Sequence, residues 1–191
     1  MTGARRLSQA IAEGDGISVL VEVVDGAGAQ AAQAQGAEGL VVRYAAKGLR
    51  GGTSRLPVLA FALGQDAGDV DALVVDVAEH GDALGDVVEA AHGRGLECVI
   101  RVRDEEELEE VLELVDPEIL LLSADDAEDG QEHLERLLEL LPDIPAGKLA
   151  IAELAGASRS DVLELERAGV DAVIVSGSDV ESLVGDAIPE V

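Results

Sequence analysis

Eight short apolar runs recur along the chain, and they constrain its fold more than any other feature. Val, Ile, Leu and Ala dominate these runs, which are nearly continuous rather than alternating with polar residues. Continuous runs are typical of strands that helices cover on both faces of a parallel sheet. The runs lie at residues 17–23, 39–44, 56–63, 71–77, 96–102, 118–123, 148–154 and 171–176.

Stretches with helical spacing of apolar residues separate the later runs, at 82–95, 104–115, 132–141 and 158–169. Three of these begin at or near Asp82, Asp104 and Ser158, which are residue types that cap the first turn of a helix. Strands that alternate with helices form a parallel sheet. Eight of them predict a sheet that closes into a (β/α)₈ barrel.

The connections in the first half of this barrel are short. About a dozen residues separate the second run from the third, and residues 64–70 alone link the third to the fourth. A parallel crossover with its helix needs at least about ten to twelve residues. We therefore predict a compact TIM barrel with shortened or missing helices in its first half, formed by residues 1–191 as a single domain.

The charge of the chain excludes several classes of partner. Forty Asp and Glu residues against 13 Lys and Arg give a net charge of -27, which repels nucleic acid and anionic membrane surfaces. No apolar stretch is long enough for a signal peptide or a membrane span. We expect a cytoplasmic protein with no nucleic-acid or membrane partner, and a buried, inert thiol at its single cysteine, Cys98.

Signals for cofactors and metals are weak. The Gly26 and Gly28 pair after the first run does not complete a dinucleotide fingerprint. No His-x-His or paired cysteine spacing provides the three or four ligands that zinc requires, and His80 is interpreted as a surface histidine. We predict no cofactor and no metal site.

The second half of the chain resembles a known enzyme family. Residues 95–114, 119–126, 149–154 and 158–178 are similar to strands five to eight of indole-3-glycerol phosphate synthase, and residues 16–23 and 56–59 follow the order of its first strands. The resemblance implies a barrel enzyme that closes an anthranilate-derived ribulose phosphate into an indole, with loss of carbon dioxide and water. A protonated lysine does the decisive work in that family.

Several positions depart from the family pattern. The strand-one lysine position holds Val24, and the family's strand-three Leu-Arg-Lys-Asp-Phe is replaced by residues 59–63, Leu-Ala-Phe-Ala-Leu. Arg101 stands where the family has a glutamate, and residues 123–125 replace its Asn-Asn-Arg. These differences predict that the synthase reaction is lost.

Only two lysines could substitute for the missing ones. Lys148 opens strand seven and should therefore lie at the opposite end of the barrel from the site. Lys47 follows strand two, but a loop lysine in water is poorly positioned for general-acid catalysis.

Four residues keep family positions and are the candidate site residues. Glu22 and Glu153 are the candidate catalytic carboxylates. Gly177 and Ser178 follow strand eight, where the resemblance implies phosphate binding at the start of a short helix, and free N–H groups at a helix start attract anions. The alternative is that Ser178 or Asp179 merely caps that helix.

Charged residues at the strand ends should meet at one mouth of the barrel. One interpretation is a polar pocket in which Glu22 or Glu153 acts as a base. The other is a network of ion pairs, because charges that leave water require partners. The residues concerned are Glu22, Arg43, Asp76, Arg101, Asp125 and Glu153.

Three functions remain open at this point, and the sequence leaves open whether the chain is an enzyme. The first is a barrel without synthase activity that keeps weak affinity for a phosphorylated small molecule. The second is a repurposed lyase or isomerase that acts on a sugar phosphate through Glu22, Glu153 and Arg101. The third is a non-catalytic scaffold that binds a partner through the thin wall around strands two to four, and the expected state is a monomer or a weak homo-oligomer.

Overall fold

The eight predicted strands form a closed, all-parallel barrel in chain order, from β1 to β8 and back to β1. The computed structural model describes residues 7–14, 16–44, 49, 56–61, 70–124, 130–177 and 180–183. Each apolar run contains one strand, so the predicted (β/α)₈ fold is confirmed. The strands are β1 (Ser18–Glu22), β2 (Gly39–Val42), β3 (Val58–Ala60), β4 (Ala72–Asp76), β5 (Glu97–Val102), β6 (Ile119–Leu122), β7 (Leu149–Glu153) and β8 (Ala172–Ser176).

Seven α-helices accompany the barrel within the described residues. The predicted caps hold for two of them: Asp104 accepts a hydrogen bond from the Glu107 N–H, and Ser158 forms a capping box with Asp161. The helices are α1 (Leu7–Ala12), α2 (Gly26–Ala34), α3 (Val77–His80), α4 (Leu84–Gly93), α5 (Glu105–Leu114), α6 (Gly130–Leu140) and α7 (Arg159–Ala168).

The predicted cap at Asp82 is wrong. Asp82 lies inside a 3₁₀ turn, Gly81–Ala83, that leads directly into α4. Ala83, which precedes α4, has helical dihedral angles and makes no side-chain capping bond. A capping residue normally adopts an extended conformation, so a turn that is already helical leaves no place for one.

Most residues of the connections after β2 and β3 lie outside the described residues. The prediction that their helices are short or missing concerns those residues. The connection after β1 contains the nine-residue helix α2, with Asp25 as its cap. No described helix has both the length and the apolar character that crossing a membrane requires.

Apolar side chains fill the interior of the barrel. Inward-facing residues of the strands form one buried cluster, and the outward-facing residues form a second cluster with the surrounding helices. A Cβ at Gly39 would lie 2.6 Å from Cδ2 of Leu20, so a larger residue there would displace the Leu20 side chain. The interior cluster includes Leu20, Val41, Leu59, Val74, Val99, Leu121, Ile151 and Ile174.

Helix α1 closes the amino-terminal end of the barrel. Its Leu7 and Ile11 side chains are buried in the interior cluster. The Glu97 carboxylate, at the start of β5, accepts a hydrogen bond from the Leu7 N–H at 2.6 Å and another from the Ser8 hydroxyl. A carboxylate at a helix amino terminus satisfies donors that have no partner within the helix, so Glu97 fixes α1 against the barrel.

Candidate functional site at the barrel mouth

Every strand places one side chain in a layer above the apolar interior. Side chains alternate between the two faces of a strand, so the residue two positions after the last interior apolar residue also points inward. This layer lies at the carboxyl ends of the strands, which is the end that carries active sites in TIM barrels. We call it the mouth ring, and it consists of Glu22, Arg43, Phe61, Asp76, Arg101, Ser123, Glu153 and Ser176.

Arg43 joins the two candidate catalytic carboxylates. Its Nε donates to Oε2 of Glu22 at 3.1 Å, and its Nη2 forms an ion pair with Oε1 of Glu153. The Ser176 hydroxyl donates to the same Glu22 oxygen at 2.7 Å. Glu153 is 6% exposed, so its charge depends on these partners rather than on water.

Two further arginines connect the opposite side of the ring. Nη2 of Arg101 lies 3.4 Å from Oε2 of Glu153 and donates to the Ser123 hydroxyl at 2.9 Å. Arg103 pairs with Asp76 and, at 2.9 Å, with Glu107 of α5. The ion pairs therefore extend across the mouth from β1 to β5.

The only two aromatic residues of the chain lie at this mouth. The Phe61 ring packs against the guanidinium of Arg43, with 4.3 Å between the guanidinium carbon and the ring centroid, and lies 5.8 Å from that of Arg101. These distances are typical of cation–π contacts. At the rim, Val24 is 79% exposed and Tyr44 is 82% exposed.

Two arginines at the mouth, Arg43 and Arg103, have raised pKa values. Burial lowers the pKa of Arg43, but hydrogen bonds and charge interactions with Glu153 and Glu22 outweigh burial and raise it overall. The hydrogen bonds that Arg103 donates to Asp76 are the largest cause of its raised pKa. An arginine is already protonated throughout the physiological range, so neither of these groups can act as a general acid.

Most of the charge at the mouth is compensated by ion pairs within it. Three guanidinium groups face the carboxylates of Glu22, Asp76, Glu107 and Glu153, and charges removed from water are stable only with such partners. Within the described part of the chain, no group of three or more His, Cys, Asp or Glu side chains could hold a metal ion. His80 lies at the end of α3, outside the mouth ring.

A separate cleft of about 300 Å³ lies beside the ends of β7 and β8. Gly177 lines it and has a φ of +136°, a conformation that other residues rarely adopt. The Val180 N–H, three residues after Gly177 in the sequence, donates to the Gln35 side chain at 3.1 Å. The cleft is formed by residues 155–157, 175–177, 180, 182 and 183.

The structure brings together most of the charged residues that the sequence analysis had assigned to the mouth. Glu22, Arg43, Asp76, Arg101 and Glu153 form an ion-pair network, which was one of the two interpretations of these residues. Asp125, Lys47 and Ser178 lie outside the described residues.

The sequence analysis did not assign Arg103 to the mouth. Arg103 lies two residues after Arg101, and this spacing places both side chains on the same face at the end of β5. Glu97 was missed as well. No local signal identifies Glu97, because its partners Leu7 and Ser8 lie about ninety residues earlier in the chain.

Lys148 lies where the sequence predicted. It directly precedes β7, at the end of the barrel opposite the mouth, and its ammonium pairs with Asp116. This lysine is therefore remote from the candidate site.

Comparison with known proteins identifies relatives for this barrel. No family model matches the chain. It is 28% identical over 124 residues to the indole-3-glycerol phosphate synthase of Geobacillus sp. (strain WCH70), covering 62% of the chain and 48% of the relative. It is 32% identical over 114 residues to the same enzyme of Variovorax paradoxus (strain S110), covering 60% and 41%.

Solved structures support the fold. A 3-hexulose-6-phosphate synthase superposes with a TM-score of 0.62 at 16% identity, covering 88% of this chain and 96% of the other. An N-acetylmannosamine-6-phosphate 2-epimerase from Clostridium perfringens gives 0.61 at 15% identity, covering 86% and 88%. The aligned part spans about half the length of the sequence relatives. The predicted resemblance is thus confirmed, and the chain is a TIM barrel related in sequence to the indole-3-glycerol phosphate synthases.

Proposed function

We propose that the chain is a synthase-like barrel that does not carry out the synthase reaction and binds a phosphorylated small molecule weakly beside the ends of β7 and β8. The observation that carries this proposal is the position of Arg43, which forms ion pairs with both Glu22 and Glu153. Each carboxylate is already engaged by the Arg43 guanidinium and is not placed to take a proton from a substrate. The two candidate catalytic carboxylates therefore bind Arg43 rather than a substrate.

The proton donors of the family are also replaced. The resemblance assigns lysines to positions 24 and 61, which hold an exposed valine and a phenylalanine packed against Arg43. General-acid catalysis is most effective when the pKa of the donor lies near the working pH. The pKa values of Arg43 and Arg103 are raised, so they lie even further from the working pH than that of an ordinary arginine.

The cleft beside Gly177 supports the binding part of the proposal. It lies after strands seven and eight, where TIM barrels often bind phosphate through backbone N–H groups. Among the described residues, its lining includes Ser176 and Ser182 but no Lys or Arg. A chain with a net charge of -27 repels anions, so we expect binding to be weak and strengthened by salt.

The test is a fluorescence assay for indole-glycerol phosphate formation, combined with thermal-shift titrations with inorganic phosphate and with indole-glycerol phosphate. We expect no turnover and a small, saturable rise in melting temperature with either ligand. Turnover of the family substrate would overturn the loss of activity. No shift with either ligand would overturn the binding site.

A matched pair of glycine variants locates the site. Gly177 and Gly147 both have positive φ, at +136° and +92°, and an added Cβ would meet no atom within 4 Å at either position. Gly177→Ala and Gly147→Ala therefore introduce backbone strain of the same kind, but Gly147 lies in the turn before β7, at the other end of the barrel. We expect Gly177→Ala to abolish the phosphate shift and Gly147→Ala to preserve it.

A further inference from the structure

We propose that Arg43 is a built-in ligand of the barrel mouth, whose guanidinium fills a site of Glu22, Glu153 and Phe61 that would otherwise accept a guanidinium from solution. The proposal goes beyond the phosphate cleft and does not depend on it. It assigns a ligand class, small alkylguanidinium cations, to the space that Arg43 occupies. Because the occupant belongs to the chain itself, the site is filled in the wild-type protein.

The Arg43 guanidinium is contacted both at its edge, by carboxylates, and on its face, by an aromatic ring. The edge of the planar group meets two carboxylates, from β1 and β7, through Nε and Nη2. Its face meets the Phe61 ring of β3 at 4.3 Å. Carboxylates in the plane and an aromatic ring on the face are the combination that distinguishes arginine from lysine recognition.

The site is built by the barrel rather than by Arg43. Glu22 is held by the Ser176 hydroxyl at 2.7 Å, and Oε2 of Glu153 lies 3.4 Å from Nη2 of Arg101. Both carboxylates therefore keep a partner when Arg43 is removed. Truncation at position 43 leaves a cavity with its two anionic walls in place.

Arg136 provides a matched control. It pairs with a single carboxylate, Glu132, one turn earlier on α6, and both side chains are exposed at 43% and 38%. Exposed pairs of this kind contribute little to stability. Arg136→Ala removes the same chemical group from a place that lacks the second carboxylate and the ring.

The experiment compares the melting temperatures of Arg43→Ala and Arg136→Ala during titration with ethylguanidinium chloride, at constant ionic strength. We expect Arg43→Ala to lose about 5 °C or more, and Arg136→Ala to lose about 2 °C at most. Ethylguanidinium should raise the melting temperature of Arg43→Ala saturably, by about 3 °C at ten times its Kd. Ethylammonium, which has the charge but lacks the planar group, should not.

Two outcomes would overturn the proposal. In one, Arg43→Ala keeps the melting temperature of the wild type. In the other, ethylguanidinium has no greater effect on it than on Arg136→Ala. If Arg43→Ala does not fold alone, it is refolded with and without ethylguanidinium, and failure of the cation to restore folding counts against the proposal.

A measurement on the wild-type protein provides a second test, with a variant used only to assign one signal. In ¹H–¹⁵N spectra, the Nε–H of Arg43 should exchange with water much more slowly than that of Arg136, because it donates to Glu22 within the mouth ring. Arg43→Lys assigns the signal by removing it. Equal exchange rates at the two arginines would show that the mouth is open and would contradict a built-in ligand.

Discussion

Glu153 receives a guanidinium group on each of its two carboxylate oxygens. Arg43 pairs with Oε1, while Arg101 lies 3.4 Å from Oε2. The side chain is 8% exposed, so little water reaches it while both partners are in place. The charge of this one residue therefore stabilises both arginines of the mouth ring.

Neutralising Glu153 should cost much of that stability. Glu153→Gln keeps the size of the side chain but leaves Arg43 and Arg101 without their shared anion, and we expect a loss of about 2–4 kcal/mol in the free energy of unfolding. Glu132→Gln, in an exposed pair on α6, should cost less than about 1 kcal/mol. Urea unfolding of both variants measures the difference, and equal losses would contradict the role given to Glu153.

The single cysteine offers a second test at this scale. Cys98 is 7% exposed, its sulfur lies 3.9 Å from the Val88 carbonyl oxygen, and burial raises the pKa of its thiol. Because the thiolate is the reactive form, the native protein should react with Ellman's reagent much more slowly than the protein in urea. Comparable rates would mean that α4 opens readily from β5.

At the scale of elements, the two ends of the barrel are closed by different means. The mouth is closed by ion pairs among strand residues, and the amino-terminal end is closed by the short helix α1. A six-residue helix is too short to be stable alone. Its docking therefore depends on Leu7 and Ile11 in the barrel and on the Glu97 carboxylate at its first turn.

Removing the Glu97 carboxylate should release α1. Glu97→Ala leaves the Leu7 N–H and the Ser8 hydroxyl without their acceptor, and we expect a loss of about 2–3 kcal/mol in the free energy of unfolding. Hydrogen exchange should rise in residues 7–12 before it rises in β5. Glu109→Ala on α5, an exposed position, is the control; similar exchange in both variants would show that α1 docks through its apolar residues alone.

At the scale of the whole molecule, the excess of acidic residues opposes folding. Forty carboxylates against 13 basic side chains repel one another at low salt, and the repulsion is greater in the compact state than in the unfolded chain. The ion pairs at the mouth are only partly exposed, so salt screens them less than it screens the surface. The net effect of moderate salt should be stabilising.

Salt titration tests this balance. We expect the urea midpoint to rise as sodium chloride increases to about 0.5 M, where the Debye length falls to roughly 4 Å and screening is nearly complete. A rise that begins only at higher salt would indicate strengthened burial of apolar surface instead. A midpoint that falls would mean that salt weakens the stabilising ion pairs more than it relieves the repulsion between surface carboxylates.

The sequence predicted those features that depend on local patterns. Each strand was identified because burial on both faces requires a continuous apolar run, and Asp104 and Ser158 were identified as caps because capping is a property of neighbouring residues. The clustering of Arg43 with Glu22 and Glu153 followed once the strands were placed in a barrel.

The features that were missed have other physical origins. Helix α2 has an alanine-rich sequence with little difference between its faces, so its periodicity gave no signal. The contact of Glu97 with α1 joins distant parts of the chain. The stacking of Phe61 on Arg43 depends on how side chains pack across the barrel, which spacing along one strand does not determine.

The exposed tyrosine at the rim is an intrinsic fluorophore next to the mouth of the barrel. Tyr44 directly follows Arg43, and the chain has no other tyrosine and no tryptophan. Emission excited in the tyrosine band therefore originates from one phenol ring at the edge of the mouth. A ligand that enters the mouth, or a substitution that displaces Arg43, should change the intensity or anisotropy of that emission, so occupancy can be followed without a label.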